Sequence, residues 1–128
     1  MSTPFRLANQ DIEAFVGVSD AGRAKAFYHD TLGLPLVSEE LPFALVFDAN
    51  GVMLRVTLVK DLNPSHFTVL GWRVPDIAVA VKALSEAGVR FERYQGMPQD
   101  ELGIWSSPGG AKVAWFKDPD GNTLSLTQ

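Results

Sequence analysis

The sequence predicts an α+β fold of two βαβββ modules whose eight main strands form a cup. Three observations predict it. The order of strand and helix signals in the first half of the chain recurs in the second. In both halves an Asp opens the helix and a Gly closes it, at a spacing of 13 residues (Asp20 to Gly33) and of 12 (Asp76 to Gly88). Both halves also carry an Asn–Gly or Asp–Gly turn ahead of their last strand: Asp48-Ala49-Asn50-Gly51 and Asp118-Pro119-Asp120-Gly121-Asn122.

Residues 11–60 make the first module. Ile12 to Val18 is a short β-type run, and Asp20 is a helix N-cap. Ala24, Phe27, Tyr28, Thr31 and Leu32 then share one face at helical spacing, and Gly33 stops the helix. Leu34 to Val37 and Phe43 to Phe47 restart extended structure, and Val52 to Val59 follows the turn. Residues 66–128 make the second module. Val69 to Val74 is its first strand, and Asp76 caps a helix with an apolar stripe of Ile77, Ala80, Val81, Leu84 and Ala87. Val89 to Phe91, Lys112 to Lys117 and Thr123 to Thr127 are its remaining strands. The second half is longer by about 14 residues, which fall in a Gly- and Pro-rich loop from Gly96 to Gly110. A loop that long in a compact domain is often functional.

Composition narrows the function classes. The chain of 128 residues is one domain's worth, 46% hydrophobic and 20% charged, an ordinary globular balance. With no cysteine it has no disulfide, thiolate metal site or thiol nucleophile. No apolar run is long enough to cross a bilayer, and Met1 to Asn9 lacks the apolar stretch of a signal peptide, so a cytoplasmic, non-membrane protein is expected. A net charge of −4 argues against a nucleic-acid partner. Ser106, Ser107 and Ser125 have no histidine at a recognisable station, and no Gly-rich phosphate loop is present.

One helix per module covers only one face of a four-stranded sheet. The other face of each sheet is left open, and two such sheets side by side line a cavity for a small molecule. Strand alternation turns Glu13, Phe15 and Gly17 inward, with Met53, Arg55 and Thr57, then Val69, Gly71 and Arg73, and finally Thr123, Ser125 and Thr127. Trp105 in the long loop is a candidate lid residue. The expected ligand-binding set is Glu13, Phe15, Met53, Arg55, Arg73, Trp105 and Ser125. Arg55, paired with Glu13, is the expected handle for an oxyanion or carbonyl. Trp72 and Trp115 fit core positions on strands.

The order and spacing of these pieces resemble the glyoxalase / bleomycin-resistance / extradiol dioxygenase, or vicinal oxygen chelate, superfamily. The residues that carry the resemblance are Val18-Ser19-Asp20, Ala26-Phe27-Tyr28, Leu32-Gly33-Leu34, Val74-Pro75-Asp76, Ala87-Gly88-Val89 and Phe116 to Asn122. Metal-using members hold a divalent ion with four inward-facing His or Glu side chains. These lie seven residues before each helix-capping Asp and seven after the first Asp of each closing turn. Carried over, those stations are Glu13, Arg55, Val69 and Ser125. Valine has no donor and arginine is a permanent cation, so the resemblance implies a member without the usual metal site and without a cofactor. Neither His29, on the outer side of the first helix, nor His66, at an odd offset from Val69, replaces a ligand.

Two function classes follow. The first is a metal-independent binder of a small organic molecule, similar to the drug-sequestering resistance proteins. The alternative is a glyoxalase-type lyase or related enzyme that works without metal or at a nonstandard metal site. The resemblance also implies a homodimer.

Overall fold

The computed structural model describes residues 4–128; Met1, Ser2 and Thr3, which open the stretch read as carrying no leader, lie outside them. The first strand, β1 (Glu13–Val18), alternates: Val16 and Val18 are buried while Glu13 and Phe15 are exposed. Asp20 then caps α1 (Ala21–Lys25) by accepting a hydrogen bond from the Arg23 amide at 2.9 Å. The winding changes at Ala26, and the next six residues, Ala26–Thr31, form a π-helical segment. The Leu32 amide reaches the Phe27 carbonyl at 2.9 Å, five residues back. The wider turn directs Tyr28 fully inward and leaves Phe27 half-buried against Phe116. Gly33, at φ 78°, ends the helix in the left-handed conformation that Cβ-bearing residues resist.

Three antiparallel strands complete the module: β2 (Leu36–Glu40), β3 (Ala44–Ala49) and β4 (Val52–Leu58). The last returns beside the first in parallel, giving the order β1-β4-β3-β2. The second module repeats the plan. It runs β5 (Thr68–Arg73), α2 (Ile77–Glu86) capped by Asp76, β6 (Trp105–Ser106), β7 (Lys112–Lys117) and β8 (Thr123–Thr127), in the order β5-β8-β7-β6. The eight strands thus make two four-stranded sheets. Their edge strands β1 and β5 lie against each other, without ladder pairing between them.

The expected strand at Val89 to Phe91 is reduced to a single bridge from Phe91 to Phe116. The place beside β7 is taken by Trp105–Ser106, inside the segment read as a loop. The reason is that this loop hydrogen-bonds to itself. The Arg93 guanidinium donates to the carbonyls of Asp100 and Glu101 at 2.7 and 2.6 Å. The Gln99 amide spans the carbonyls of Glu92 and Gly103, and the Asp100 carboxylate accepts from the amides of Leu102 and Ile104. Ring closures of this kind depend on side chains distant from hydrophobic periodicity, which carries no trace of them.

The helix-facing side chains of both sheets join one core. Phe47, Leu54 and Val56 from the first sheet and Phe116, Leu124 and Leu126 from the second meet Tyr28, Ile77 and Val81 from the helices. Each fully buried Leu or Phe contributes about 2 kcal/mol relative to exposure. The opposite face of each sheet has no helix over it.

Candidate functional site

The helix-free faces carry an unusual amount of exposed apolar surface. Phe15 is 59% exposed, and Met53 and Val69 are each 37% exposed. β-Strand alternation puts them there, because their neighbours Val16, Leu54 and Leu70 point to the core. In the first sheet Phe15 stands opposite Arg55, and Glu13 opposite Met53. The predicted residues Glu13, Phe15, Met53 and Arg55 are therefore neighbours on adjoining strands.

Arg55 does not pair with Glu13 as expected. Its guanidinium donates to the Glu40 carboxylate at 2.8 Å. Glu40 ends β2, two strands from Arg55 on β4, and the intervening β3 puts small Ala44 opposite it, which lets the Arg55 side chain cross. Glu40 is exposed, and the hydrogen bond and charge of Arg55 hold its carboxyl below the usual carboxylate range. Spacing alone favoured Glu13 because the β2 register was not readable.

The second sheet contributes an aromatic wall. Trp115, expected in the core, faces the other way because its neighbours Ala114 and Phe116 are the buried pair. Its ring lies between Tyr94, at 5.6 Å and nearly perpendicular, and Trp105, at 6.1 Å. Burial, and next the charge of Glu92, push the Tyr94 phenol above its ordinary value. Trp115 is opposite Ser125 in the ladder, and Ser125 is opposite Gly71. A Cβ at Gly71 would stand 2.9 Å from the Ser125 Oγ, so the glycine keeps this part of the face open. Trp105, predicted on the long loop, thus comes together with Ser125 through Trp115, a residue that hydrophobicity alone assigns to the core. The readable signal was period-two alternation across Ala114, Trp115 and Phe116.

Arg73 ends β5 in step with exposed Val69 and Gly71, while its neighbours Trp72 and Val74 line a separate pocket on the helix side with Leu84. Trp72 is half-buried and stacks on Phe116 at 6.3 Å.

The model of the glyoxalase/bleomycin resistance protein/dioxygenase superfamily matches residues 12–126. The chain belongs to that superfamily. It is 30% identical over 125 residues to the uncharacterized protein YraH of Bacillus subtilis, across 85% of this chain and 90% of that protein. Among solved structures it is similar to a glyoxalase family protein from Enterococcus faecalis. That likeness has a TM-score of 0.75 and 19% identity over 95% of this chain and all of that one. A lactoylglutathione lyase from Agrobacterium tumefaciens matches with a TM-score of 0.70 and 18% identity over 93% of this chain and 92% of that one. At these identities the structural likeness shows the shared fold.

The superfamily's metal stations give a direct test of fit. Val69 offers no donor atom, Arg55 is a cation held by Glu40, and Ser125 is a buried neutral hydroxyl. Glu13 is the single anionic side chain of the four. Among the described residues, no three His, Asp or Glu side chains lie together as a metal cluster requires. The residues present do not fit a divalent ion at these stations.

Proposed function

We propose that this superfamily member binds a small organic molecule on the helix-free face, with a planar apolar part against Trp105, Trp115 and Tyr94. The observation that carries this reading is the row of three partly exposed rings on a strand face with no helix over it. Rings in such a row offer a large, rigid stacking surface. Phe15, Met53 and Ser125 extend the lining. Arg55 supplies one polar handle that a ligand anion takes over from Glu40. Arg73, in step with Val69 and Gly71 on β5, and Glu13 place a positive and a negative charge at its margin. The chain acts as one copy of a homodimer in this reading, with part of the exposed apolar surface covered by the second copy.

The experiment is a thermal-shift screen of small aromatic compounds, followed by titrations that read tryptophan fluorescence. A ligand that binds the native state raises Tm. For a ligand so identified, Trp115→Ala weakens binding about tenfold or more, the worth of one good stacking contact. Undiminished affinity in both Trp115→Ala and Trp105→Ala overturns the proposal.

A further inference from the structure

The ladder of the second sheet fixes which side chains stand beside the row of rings. Arg73 is opposite Thr127, Thr127 is opposite Val113, and Val113 is opposite Trp105. Directly opposed residues project from the same face, so these four form one row across β5, β8, β7 and β6. The next row holds Gly71, Ser125 and Trp115. Burial agrees: Val69, Gly71 and Arg73 are the exposed residues of β5, and Leu70 and Trp72 pack on the core. Arg73 is therefore a cation of the aromatic face. It takes part in no ion pair among the described residues, whereas Arg55, on the first sheet, is already held by Glu40. Between Arg73 and Trp115 the floor is low. Gly71 has no side chain, and Ser125 is only 5% exposed. The Ser125 hydroxyl has no hydrogen-bond partner among the described residues. No partnerless side-chain oxygen or nitrogen is sealed from solvent there, so this hydroxyl opens onto the face.

We propose that the ligand of this face is an aromatic carboxylate, with its ring on Trp115 and its acid group on the Arg73 guanidinium. The assignment rests on the open-face binding proposed for this chain and narrows its ligand class. The three rings take the flat apolar part. Gly71 and Ser125 leave the path to β5 clear, and guanidinium and carboxylate match in a two-pronged hydrogen-bonded pair. One free cation among neutral Thr127, Val113 and Ser125 suits a single negative charge, and Glu13 at the margin disfavours a second. A strand spacing of about 4.8 Å and a rise of about 3.4 Å per residue put the α-carbons of Arg73 and Trp115 roughly 12 Å apart. The two long side chains lean into that gap, and an acid group one carbon removed from a fused pair of rings bridges the rest.

The test is titration of the intact protein with 2-naphthylacetate and, separately, with its neutral isostere 2-naphthylacetamide, read by the indole N–H resonances in two-dimensional NMR. Both probes shift Trp105 and Trp115 saturably and leave Trp72, on the helix side, in place. The acid binds about tenfold more tightly than the amide. Arg73→Gln, a change at an exposed position, lowers the acid to the affinity of the amide and leaves the amide unaffected. Arg55→Leu weakens the acid less and keeps its preference over the amide. Equal affinity of acid and amide in the parent chain overturns the proposal, and so does a preference that survives in Arg73→Gln or is lost in Arg55→Leu. In each of those cases the indole shifts persist, and open-face binding stands without its assigned ligand class. Absence of any indole shift with either probe also overturns the proposal, and the thermal-shift screen then decides open-face binding by itself.

Discussion

Tyr28 is fully buried, and its hydroxyl donates to the Asp118 carboxylate at 2.7 Å. Burial, followed by the negative charge of Asp118, pushes the phenol far above its ordinary value of 10.0. In the unfolded chain the same phenol ionises near pH 10. Above that pH the folded state keeps a proton that the unfolded state has lost, so folding stability falls as pH rises. The slope is about 1.4 kcal/mol per pH unit for one such group. Tyr28→Phe is expected to cost about 2 kcal/mol at neutral pH, for a lost hydrogen bond to a charged acceptor. It also removes this alkaline slope, which denaturant unfolding between pH 9 and pH 11 measures against the parent chain. Tyr28 was readable as a core residue from its helical spacing. Its partner, 90 residues away in sequence, was not. The same holds for Arg55, where position was legible and partner was not. Glu40→Gln releases the guanidinium, so an anionic ligand of the open face is expected to bind more tightly in this variant and more weakly in Arg55→Leu. Calorimetric titration of one ligand against the three proteins checks both signs.

Strands were legible where alternation and turn chemistry agree. Asn50 and Gly51, both at positive φ, make the tight turn between β3 and β4 that their identities announce. Agreement failed at β6, because a two-residue strand held by the side chains of Arg93, Gln99 and Asp100 has no periodicity to read. β5 carries a sharper consequence. Gly71 faces Ser125 on β8 so closely that any side chain must displace it. Gly71→Val is expected to cost about 1–3 kcal/mol through overpacking. It should also abolish binding of an open-face ligand while Gly33→Ala, far from that face, does not. Thermal melts and fluorescence titrations of the two variants distinguish loss of stability from loss of the site.

At the scale of the molecule, the two modules share one core but do not treat each other symmetrically. The closing turn of the second module seats on the start of the first. The Asn122 side chain donates to the Gly17 carbonyl at 2.7 Å, and the Ser19 amide and hydroxyl both donate to the Asp120 carboxylate. Asp118, beneath them, accepts from the Tyr28 hydroxyl, the Asn122 side chain, and the amides of Asp120 and Asn122. The equivalent turn of the first module, Asp48 to Gly51, bonds within itself through the Gly51 amide and Asp48. The repeat predicted two like halves and could not show this difference, since both turns read as ordinary hairpins. Asp118→Ala leaves several of these donors unpartnered and is expected to destabilise the whole chain by about 3 kcal/mol. Unfolding should remain a single transition when followed by tryptophan fluorescence and by far-ultraviolet circular dichroism. Two separated transitions would show that the modules melt independently.

That turn also governs when the protein can become native during synthesis. Asp118 is made 90 residues after Tyr28, whose buried hydroxyl has no other acceptor among the described residues. The first module therefore waits, incompletely satisfied, until the closing turn of the second module has been made. Contacts of such long sequence separation slow the search for the native state. A nascent chain stalled before Asp118 should stay protease-sensitive throughout its first sixty residues, although every strand and helix of that module has already been made.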